Sequence, residues 1–163
     1  MRENDTITYY DENAEKFALE TRSVDFGAVQ KEFTDRLREG AFILDFGCGS
    51  GRDTKIFLEH GYDVEAVDGS SELCKLASEY TGIEVKQMLF QQLQETEKYD
   101  GICEGSYILD LPVLELADVV KKMAEALKDG GIIYTSFKYG TFAGVRNGRY
   151  FTDMTEDTFA FFL

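Results

Sequence analysis

The 163-residue sequence predicts an α/β fold in which a doubly wound, mainly parallel sheet is the middle layer of a three-layer sandwich. Strand and helix patterns alternate after residue 40, which favours parallel strands joined by right-handed crossovers. The first strand runs into a loop with glycine at alternate positions, and an acidic residue ends the second strand. At this length, residues 1–163 are most simply one domain with a single core.

Residues 1–40 predict a helical cap ahead of the α/β core of residues 41–163. In Tyr9–Leu19, the apolar residues Tyr10, Ala14, Phe17 and Ala18 recur at helical spacing. A second helical segment carries three apolar residues on one face: Val29, Phe33 and Leu37. The cap therefore presents two apolar stripes to the domain that follows it.

The core contains five strand patterns: Ala41–Asp45, Asp63–Asp68, Ile83–Met88, Tyr99–Glu104 and Ile132–Phe137. Three helix patterns lie between them: Thr54–His60, Ser71–Tyr80 and Val113–Lys128. Ser70 is a suitable N-cap for the second helix, Gly61 ends the first, and Pro112 fits the first turn of the third. Residues 155–163 predict the opening turn of a further helix.

The loop after the first strand is the most informative segment. Residues 43–53 have the sequence I-L-D-F-G-C-G-S-G-R-D, which places Gly47, Gly49 and Gly51 between Asp45 and Asp53. Glycine accepts positive φ angles and lets a ligand come close to the backbone. The helix that follows turns its N-terminal amide groups toward whatever the loop holds. The segment therefore predicts a ligand site at the end of the first strand.

Two common nucleotide loops do not fit this segment. A phosphate-binding P-loop needs Lys and then Ser or Thr after its last glycine, where this chain has Arg52 and Asp53. The fingerprint of nicotinamide-binding proteins needs a third glycine where Arg52 stands. A loop flanked by carboxylates suits a cationic ligand better than a pyrophosphate, because like charges repel in a partly dry site. Asp68, which ends the second strand, is placed to bind ribose hydroxyls.

Residues 43–68 resemble the cofactor loop and second strand of the Rossmann-like class I S-adenosylmethionine-dependent methyltransferases. The resemblance extends over nearly the whole chain, to a small-molecule branch that includes tellurite-resistance-type methyltransferases. The segments that carry it are Y-D-E-N-A-E-K-F (10–17), Y-D-G-I (99–102), L-K-D-G-G (127–131), S-F-K-Y-G (136–140) and G-R-Y-F-T (148–152). It implies in-line methyl transfer from S-adenosylmethionine to a small molecule, with S-adenosylhomocysteine as the product.

The resemblance also implies roles for individual residues. The loop glycines would wrap the methionine portion of the cofactor, Asp45 would organise the loop or attract the amino group, and Asp68 would accept both ribose hydroxyls. Tyr9 and Tyr10 would form a lid over the sulfonium, or would simply belong to the core. The full predicted cofactor-binding set is Tyr10, Asp45, Phe46, Gly47, Gly49, Gly51, Arg52, Asp68, Gly69, Ser70, Leu89, Phe90, Glu104 and Gly105.

Two positions depart from the family pattern. Leu89 stands where relatives carry an acid for the adenine amino group, which leaves apolar contacts and a backbone bond from Phe90. Asp110 stands where close relatives show a histidine; it would orient the acceptor or act as a weak base, or belong to the N-cap region of the next helix. These departures support an alternative, a non-catalytic protein that binds S-adenosylmethionine or S-adenosylhomocysteine, or a degenerate scaffold.

Several charged residues allow two interpretations. Arg52 and Asp53 form either a salt bridge at the helix start or a direct contact to the cofactor. Lys138, Arg149 and Tyr150 follow the fifth strand, on the side where substrates of the family enter. They suggest an anionic acceptor, or they belong to a solvated loop.

The C-terminal part is shorter than the family requires. Its sheet normally has seven strands, and here the sixth and seventh have no sequence left to form them. The fifth strand, Ile132–Phe137, would then be an open edge, and an apolar edge invites pairing with another chain. Two expectations follow from this: a homodimer through this edge, helped by an aromatic tail at Phe159, Phe161, Phe162 and Leu163, or a truncated fragment whose missing part matters for activity.

The composition argues against several functions. A net charge of −14 repels nucleic acids and anionic membranes, or serves only solubility. The sequence shows neither an 18-residue apolar run nor a signal peptide, and its three cysteines fit free thiols, so we expect a cytoplasmic protein. One histidine and scattered cysteines give no metal-binding spacing.

Overall fold

The computed structural model describes residues 3–105 and 108–162. Leu163, part of the predicted aromatic tail, lies outside the described residues. The helices are α1 Glu3–Glu12, α2 Ala14–Arg22, α3 Gly27–Thr34, α4 Arg52–Glu59, α5 Ser71–Thr81, α6 Val113–Ala126 and α7 Glu156–Ala160. The strands are β1 Phe42–Phe46, β2 Asp63–Asp68, β3 Lys86–Gln87, β4 Tyr99–Glu104, β5 Leu127–Thr135, β6 Ala143–Arg146 and β7 Arg149–Thr152. Short 3₁₀ turns span Phe90–Gln92 and Ile108–Asp110.

The main sheet has five parallel strands in the order β3-β2-β1-β4-β5. Strand β1 lies at its centre, where Ile43 is in register with Val64 of β2 and with Gly101 of β4. Four of its five residues are buried, as expected for a parallel strand with helices on both faces of the sheet. The predicted α/β fold with a mainly parallel sheet is confirmed.

Helices cover both faces of the sheet, which makes the sandwich three layers thick. On one face, the apolar stripe of α6 packs with Leu44, Phe46 and Ile102 of the central strands. On the other face, Phe33 of α3 and Phe57 of α4 pack on β1 and β4. Burial of these two apolar layers is the main stabilising contribution to the fold.

The N-terminal cap has a break that the sequence analysis did not predict. The pattern over Tyr9–Leu19 predicted one helix, but α1 and α2 are separated at Asn13, whose φ of −113° and ψ of 13° leave the helical region. The Asn13 side-chain amide donates to the Tyr9 carbonyl at 2.8 Å and so competes with a helix bond. The break lets Tyr10 and Ala14 pack together on Leu73 of α5.

Two element boundaries differ from the sequence prediction. Strand β3 is shorter than the predicted Ile83–Met88. It consists only of Lys86–Gln87, which are both exposed and pair with the last two residues of β2. Helix α6 ends at Ala126 and β5 begins at once at Leu127, earlier than predicted. An irregularity in the β4–β5 pairing, between Tyr99 and Gly101, accommodates the extra residues at the start of β5.

Within the described residues, the predicted absence of a sixth and a seventh strand from the main sheet is confirmed, but a hairpin that was not predicted forms after β5. Residues 143–152 form an antiparallel hairpin, β6–β7, as a separate two-stranded sheet. Its two-residue turn is Asn147–Gly148, and both residues have positive φ, 50° and 78°. An Asn-Gly pair between short apolar runs is a strong hairpin signal, which was overlooked in the sequence. The main sheet keeps five strands, and β5 lies at its edge.

The C-terminal tail packs partly within its own chain. Phe159 lies 5.4 Å from Phe137 and 6.1 Å from Phe162 between ring centroids, and these rings pack against the core under α6. Phe161 is 89% exposed. Two of the aromatic residues expected at a dimer interface are therefore used inside the chain, and self-association through the β5 edge stays a prediction.

Cys74 and Cys103 are buried and Cys48 is half-buried, all three as free thiols. None of the helices that the structure describes has the length and apolar character needed to cross a membrane. Among the same residues there is no group of three or more potential metal-ligating side chains.

Candidate active site

Two adjoining cavities lie at the carboxyl ends of β1, β2 and β4, where ligands bind in doubly wound sheets. The first cavity holds about 490 Å³, including its opening to solvent. Its walls are Thr6, Ile7, Tyr10, Gly47, Asp68, Gly69, Ser70, Met88, Leu89, Phe90, Asp110 and Leu111. The second is lined by Phe17, Thr21, Gly47, Cys48, Gly49, Ser50, Arg52, Asp53 and Gly105. Gly47 borders both, so the two cavities meet at the glycine loop, and together they are called the cleft.

The glycine loop is held by backbone hydrogen bonds in a conformation that favours glycine. Gly47, Gly49 and Gly51 have φ angles of 79°, 57° and 82°. The amides of Gly47 and Cys48 both donate to the Val67 carbonyl at 2.9 Å, which ties the loop to the end of β2. Gly47 thus gives both cavities a stretch of bare backbone wall, and Gly49 does so for the second.

The Asp68 carboxylate is the polar centre of the first cavity. One oxygen accepts the Gly49 amide and the other accepts the Ser70 amide, both at 2.9 Å. Each oxygen has a second lone pair, so the carboxylate can also accept bonds from two ligand hydroxyls. Burial raises the pKa of Asp68 to about 6, although the two amide bonds act to lower it. The side chain is therefore still largely ionised at neutral pH.

Asp45 lies behind the glycine loop and lines neither cavity. Its carboxylate accepts a hydrogen bond from the Thr54 hydroxyl of α4 and is 2% exposed. Burial and then the charge of Asp53 raise the pKa of Asp45. This position supports a role in organising the loop. A contact to a ligand amino group stays a prediction.

Arg52 and Asp53 form the wall of the second cavity as a pair. The Arg52 Nε lies 3.1 Å from the Asp53 carboxylate, and Gln30 donates to the same carboxylate at 2.6 Å. The Arg52 guanidinium also stacks 4.0 Å from the centre of the Phe26 ring. The salt bridge that the sequence offered as one alternative is present, and Arg52 still faces the cavity.

The far wall of the first cavity is apolar. Phe90 contacts Phe46 edge-on, with ring centroids 4.7 Å apart. The Leu89 amide donates to the side chain of Gln92 at 2.8 Å. Ile7 of α1 and Leu89 close over Gly69, where an added Cβ would lie 3.6 Å and 3.5 Å from their methyl groups. This wall therefore suits an apolar group, and Leu89 offers no side-chain hydrogen bond.

Asp110 lies where three elements meet. The Tyr10 hydroxyl of α1 donates to its Oδ2 at 2.7 Å, and Arg149 of β7 donates to both oxygens at 3.1 and 3.3 Å. Burial raises the pKa of Asp110 to about 6, while Arg149 acts to lower it. Asp110 precedes α6 without capping it, because the residue at that position is Pro112.

Most of the sequence-predicted site residues line the cleft. Four do not reach either cavity: Asp45, Phe46, Gly51 and Glu104. Phe46 is fully buried in the core, and Gly51 packs against α5, where an added Cβ would lie 2.7 Å from the Thr81 methyl. Glu104 turns inward, where its carboxylate accepts the Ile108 amide at 3.1 Å and the Thr135 hydroxyl at 3.2 Å.

Several lining residues were not predicted as site residues. In the first cavity they are Thr6, Ile7, Met88 and Leu111, and in the second Phe17, Thr21, Cys48 and Ser50. Ile7 precedes Tyr10 by three positions, so helical spacing could have placed it on the same face. Leu111 follows Asp110 in a turn that no local pattern places at the cleft.

Residues 43–131 match the family model described as a methyltransferase domain. An uncharacterized methyltransferase of Staphylococcus carnosus is 25% identical over 122 residues, which are 71% of this chain and 59% of the relative. The chain thus spans about three-fifths of the length of that curated relative.

Solved structures of other methyltransferases share the fold, and two serve as examples. The 1,6-didemethyltoxoflavin-N1-methyltransferase of Burkholderia thailandensis, solved with 1,6-didemethyltoxoflavin and S-adenosylhomocysteine, has a TM-score of 0.78 and 20% identity; the match covers 98% of this chain and 75% of that one. A TehB-like methyltransferase of Corynebacterium glutamicum has a TM-score of 0.64 and 22% identity, over 77% of this chain and 72% of that one. At these identities, the likeness shows the fold alone.

Proposed function

The chain belongs to the methyltransferase domain family, and from that premise we propose that it transfers a methyl group from S-adenosylmethionine to a small-molecule acceptor. The observation that carries the proposal is the convergence of the glycine loop and the Asp68 carboxylate on one cleft. Backbone and carboxylate meet there at the end of β2, where a ribose is bound in folds of this kind.

The lining of the cleft and its charges support this donor. Asp68 would accept the ribose hydroxyls, the apolar wall at Leu89 and Phe90 would enclose the adenine, and the loop glycines would lie along the methionine portion. The first cavity has two carboxylates and no lysine or arginine in its described lining. In the second, Arg52 is paired with Asp53. Such surroundings favour a cationic ligand, because its charge is attracted by the carboxylates and the nearby arginine is neutralised by its own partner.

When bound, S-adenosylmethionine supplies an electrophilic methyl group on a positively charged sulfur. The chain would then contribute mainly by holding donor and acceptor collinear and close, which contributes up to about 7–11 kcal/mol in well-oriented reactions. The Tyr10 ring at the cavity wall would attract positive charge through its face. No covalent enzyme intermediate is required.

Asp110 is the candidate to orient the acceptor. Its carboxylate lines the first cavity and is held by Tyr10 and Arg149, and its Oδ1 retains a further acceptor site beside the Arg149 bond. Such a carboxylate suits an acceptor with an N–H or O–H group. It suits an anionic acceptor less well, although the sequence had suggested one from Lys138 and Arg149. Arg149 directs its charge to Asp110, and Lys138 is exposed.

Titration calorimetry with S-adenosylmethionine and S-adenosylhomocysteine, with NAD as control, tests the donor site. We expect micromolar binding of the first two and none of NAD. Asp68→Asn should weaken both by about 10- to 100-fold, because a charge-assisted hydrogen bond contributes roughly 1.5–3 kcal/mol. Asp63→Asn, at the exposed start of the same strand, is the matched control and should leave affinity unchanged. Unchanged affinity in Asp68→Asn would contradict the assigned ribose contact.

The alternative is a protein that binds the cofactor without catalysis. The specific observation in its favour is Leu89, which lines the cavity where relatives carry an acid, so the adenine would lack a charge-assisted bond. A turnover assay separates the two functions. S-adenosylhomocysteine formation with N–H-bearing heterocyclic acceptors would support the enzyme. Tight binding without turnover across a broad acceptor set would favour the binding protein.

A further inference from the structure

The β6–β7 hairpin reaches the cleft through its second strand. Arg149 donates to both oxygens of Asp110, and the Thr152 hydroxyl donates to the Leu111 carbonyl at 2.6 Å. Asp110 and Leu111 are neighbours in the wall of the first cavity. A hairpin that belongs to a separate sheet is thereby attached to the residues that border the candidate site.

Arg149 also contacts the N-terminal cap. Its guanidinium carbon lies 5.1 Å from the centre of the Tyr10 ring, and the Tyr10 hydroxyl bonds the same Asp110 carboxylate. Helix α1, the turn before α6 and strand β7 therefore meet at one ion pair. The Asp110 side chain is 4% exposed and that of Arg149 21%, so water screens this pair little.

The same end of helix α1 is also fixed to the opposite side of the cleft, through the residue that follows Tyr10. Asp11 accepts the Ser70 hydroxyl, and Ser70 in turn caps α5 next to Asp68. Adjacent residues of α1, Tyr10 and Asp11, thus connect the hairpin side of the cavity to the ribose side. A change at the hairpin can reach the cofactor cleft through one helix.

We propose that Arg149 is a positioning residue, which fixes the β6–β7 hairpin and helix α1 over the cleft by holding Asp110 and Tyr10 together. The inference rests on the proposed function only in assigning the cleft to S-adenosylmethionine. It gives Arg149 a different role from an anion receptor, because its charge is directed to Asp110 at the cavity wall. Opening of the cleft requires this ion pair to separate, so the pair sets how long a nucleoside ligand stays bound.

Arg146 provides a matched control on the same hairpin. It pairs with Asp153 at 2.5 Å, and its guanidinium carbon lies 4.7 Å from the centre of the Phe151 ring, while that of Arg149 lies 4.9 Å from the same centre. The Arg146 ion pair joins residues of the hairpin and the segment just after it, and neither partner lines the cleft. Arg146→Met and Arg149→Met therefore remove similar groups, of which only one is attached to the cavity wall.

The test combines hydrogen exchange with the dissociation rate of S-adenosylhomocysteine. In Arg149→Met without ligand, amides of the hairpin and of helix α1 should exchange about tenfold faster. S-adenosylhomocysteine should also dissociate about tenfold faster, which corresponds to ~1.4 kcal/mol. Arg146→Met should accelerate exchange in the hairpin alone and leave the dissociation rate unchanged. Arg149→Lys keeps the charge and should restore part of the effect.

Two results would overturn the proposal. In the first, Arg146→Met and Arg149→Met accelerate dissociation equally, which would assign the effect to general hairpin stability. In the second, Arg149→Met leaves exchange in α1 unchanged. If Arg149→Met lacks a cooperative melting transition, Arg149→Lys is judged by the same criteria. If the unmodified chain does not bind S-adenosylhomocysteine, the proposed function fails, and the ligand-free exchange comparison still decides the role of Arg149.

Discussion

The glycine loop and the β6–β7 hairpin both belong to the surroundings of the cleft, but they are held in different ways. The loop is fixed by backbone bonds to Val67 and lies between the core and α5. The hairpin reaches the cleft through side chains, those of Arg149 and Thr152. We therefore expect changes at the loop to affect unfolding of the whole domain, and changes at the hairpin to affect local opening.

The largest effect should come from Phe46, the residue that enters the loop. Its side chain is fully buried between the main sheet and α6, so Phe46→Ala should lower the free energy of unfolding by about 3–5 kcal/mol. Urea denaturation measures the change. Phe161→Ala, which truncates a ring that is 89% exposed, should stay within about 0.5 kcal/mol. A loss below about 1 kcal/mol at Phe46 would contradict the view that the loop is part of the core.

The second effect is a pH dependence at Asp68. Its pKa is raised to about 6 in the folded state, against an ordinary value of 3.8, so the folded protein favours the protonated form. The contribution of this group to stability is therefore present below pH ~4 and is lost as pH rises through about 6. The loss is on the order of 3 kcal/mol relative to Asp68→Asn, which has no titrating proton.

Urea unfolding of the ligand-free protein between pH 4 and pH 7 measures this difference. Asp63→Asn corrects for the general effect of removing one carboxylate from β2. A constant difference between the unmodified chain and Asp68→Asn across the range would show that burial does not shift the Asp68 carboxyl. Such a result would contradict the view that the ionised Asp68 carboxylate destabilises the ligand-free loop region.

The two regions also differ in how far the sequence predicts them. Gly47 and Asp68 could be placed because strand, loop and helix follow one another directly, and parallel strands bring their ends together. The bond between Tyr10 and Asp110 joins residues 100 positions apart, which no local pattern reveals. The hairpin itself was predictable from Asn147–Gly148. The partner of Arg149 was not, because from the sequence its charge suggested a ligand, whereas in the fold it pairs with Asp110.

The inward turn of Glu104 shows the same limit within the core. The end of β4 was predicted correctly, and an acid at the end of a parallel strand usually faces the ligand cleft. Here the Thr135 hydroxyl of β5 and the Ile108 amide bind the carboxylate instead. Ile108 lies only four residues further on, but Thr135 belongs to the neighbouring strand, so the direction of this side chain depends on the assembled sheet as well as on the local turn.

The third prediction concerns the packing of the loop on α5. Gly51 has a φ of 82°, and an added Cβ would lie 2.7 Å from the Thr81 methyl, so Gly51→Ala should cost about 2–3 kcal/mol. Gly82→Ala is the control, because Gly82 has a φ of 80° with nothing within 4 Å of an added Cβ. It should cost only about 1 kcal/mol. Equal losses in urea denaturation would mean that backbone strain, and not contact with α5, requires glycine in the loop.

The smallest effect should appear at Thr152, and it should be local. The hydroxyl is buried and donates to the Leu111 carbonyl, so Thr152→Val keeps the shape of the side chain but leaves that carbonyl without this partner. We expect the free energy of hairpin opening, from hydrogen exchange of residues 143–152, to fall by about 1–2 kcal/mol. Thr141→Val, the same change at an exposed site, should have no effect. If Thr152→Val instead lowered the global free energy of unfolding as much as hairpin opening, the hairpin would unfold only with the whole domain, as the loop is expected to do.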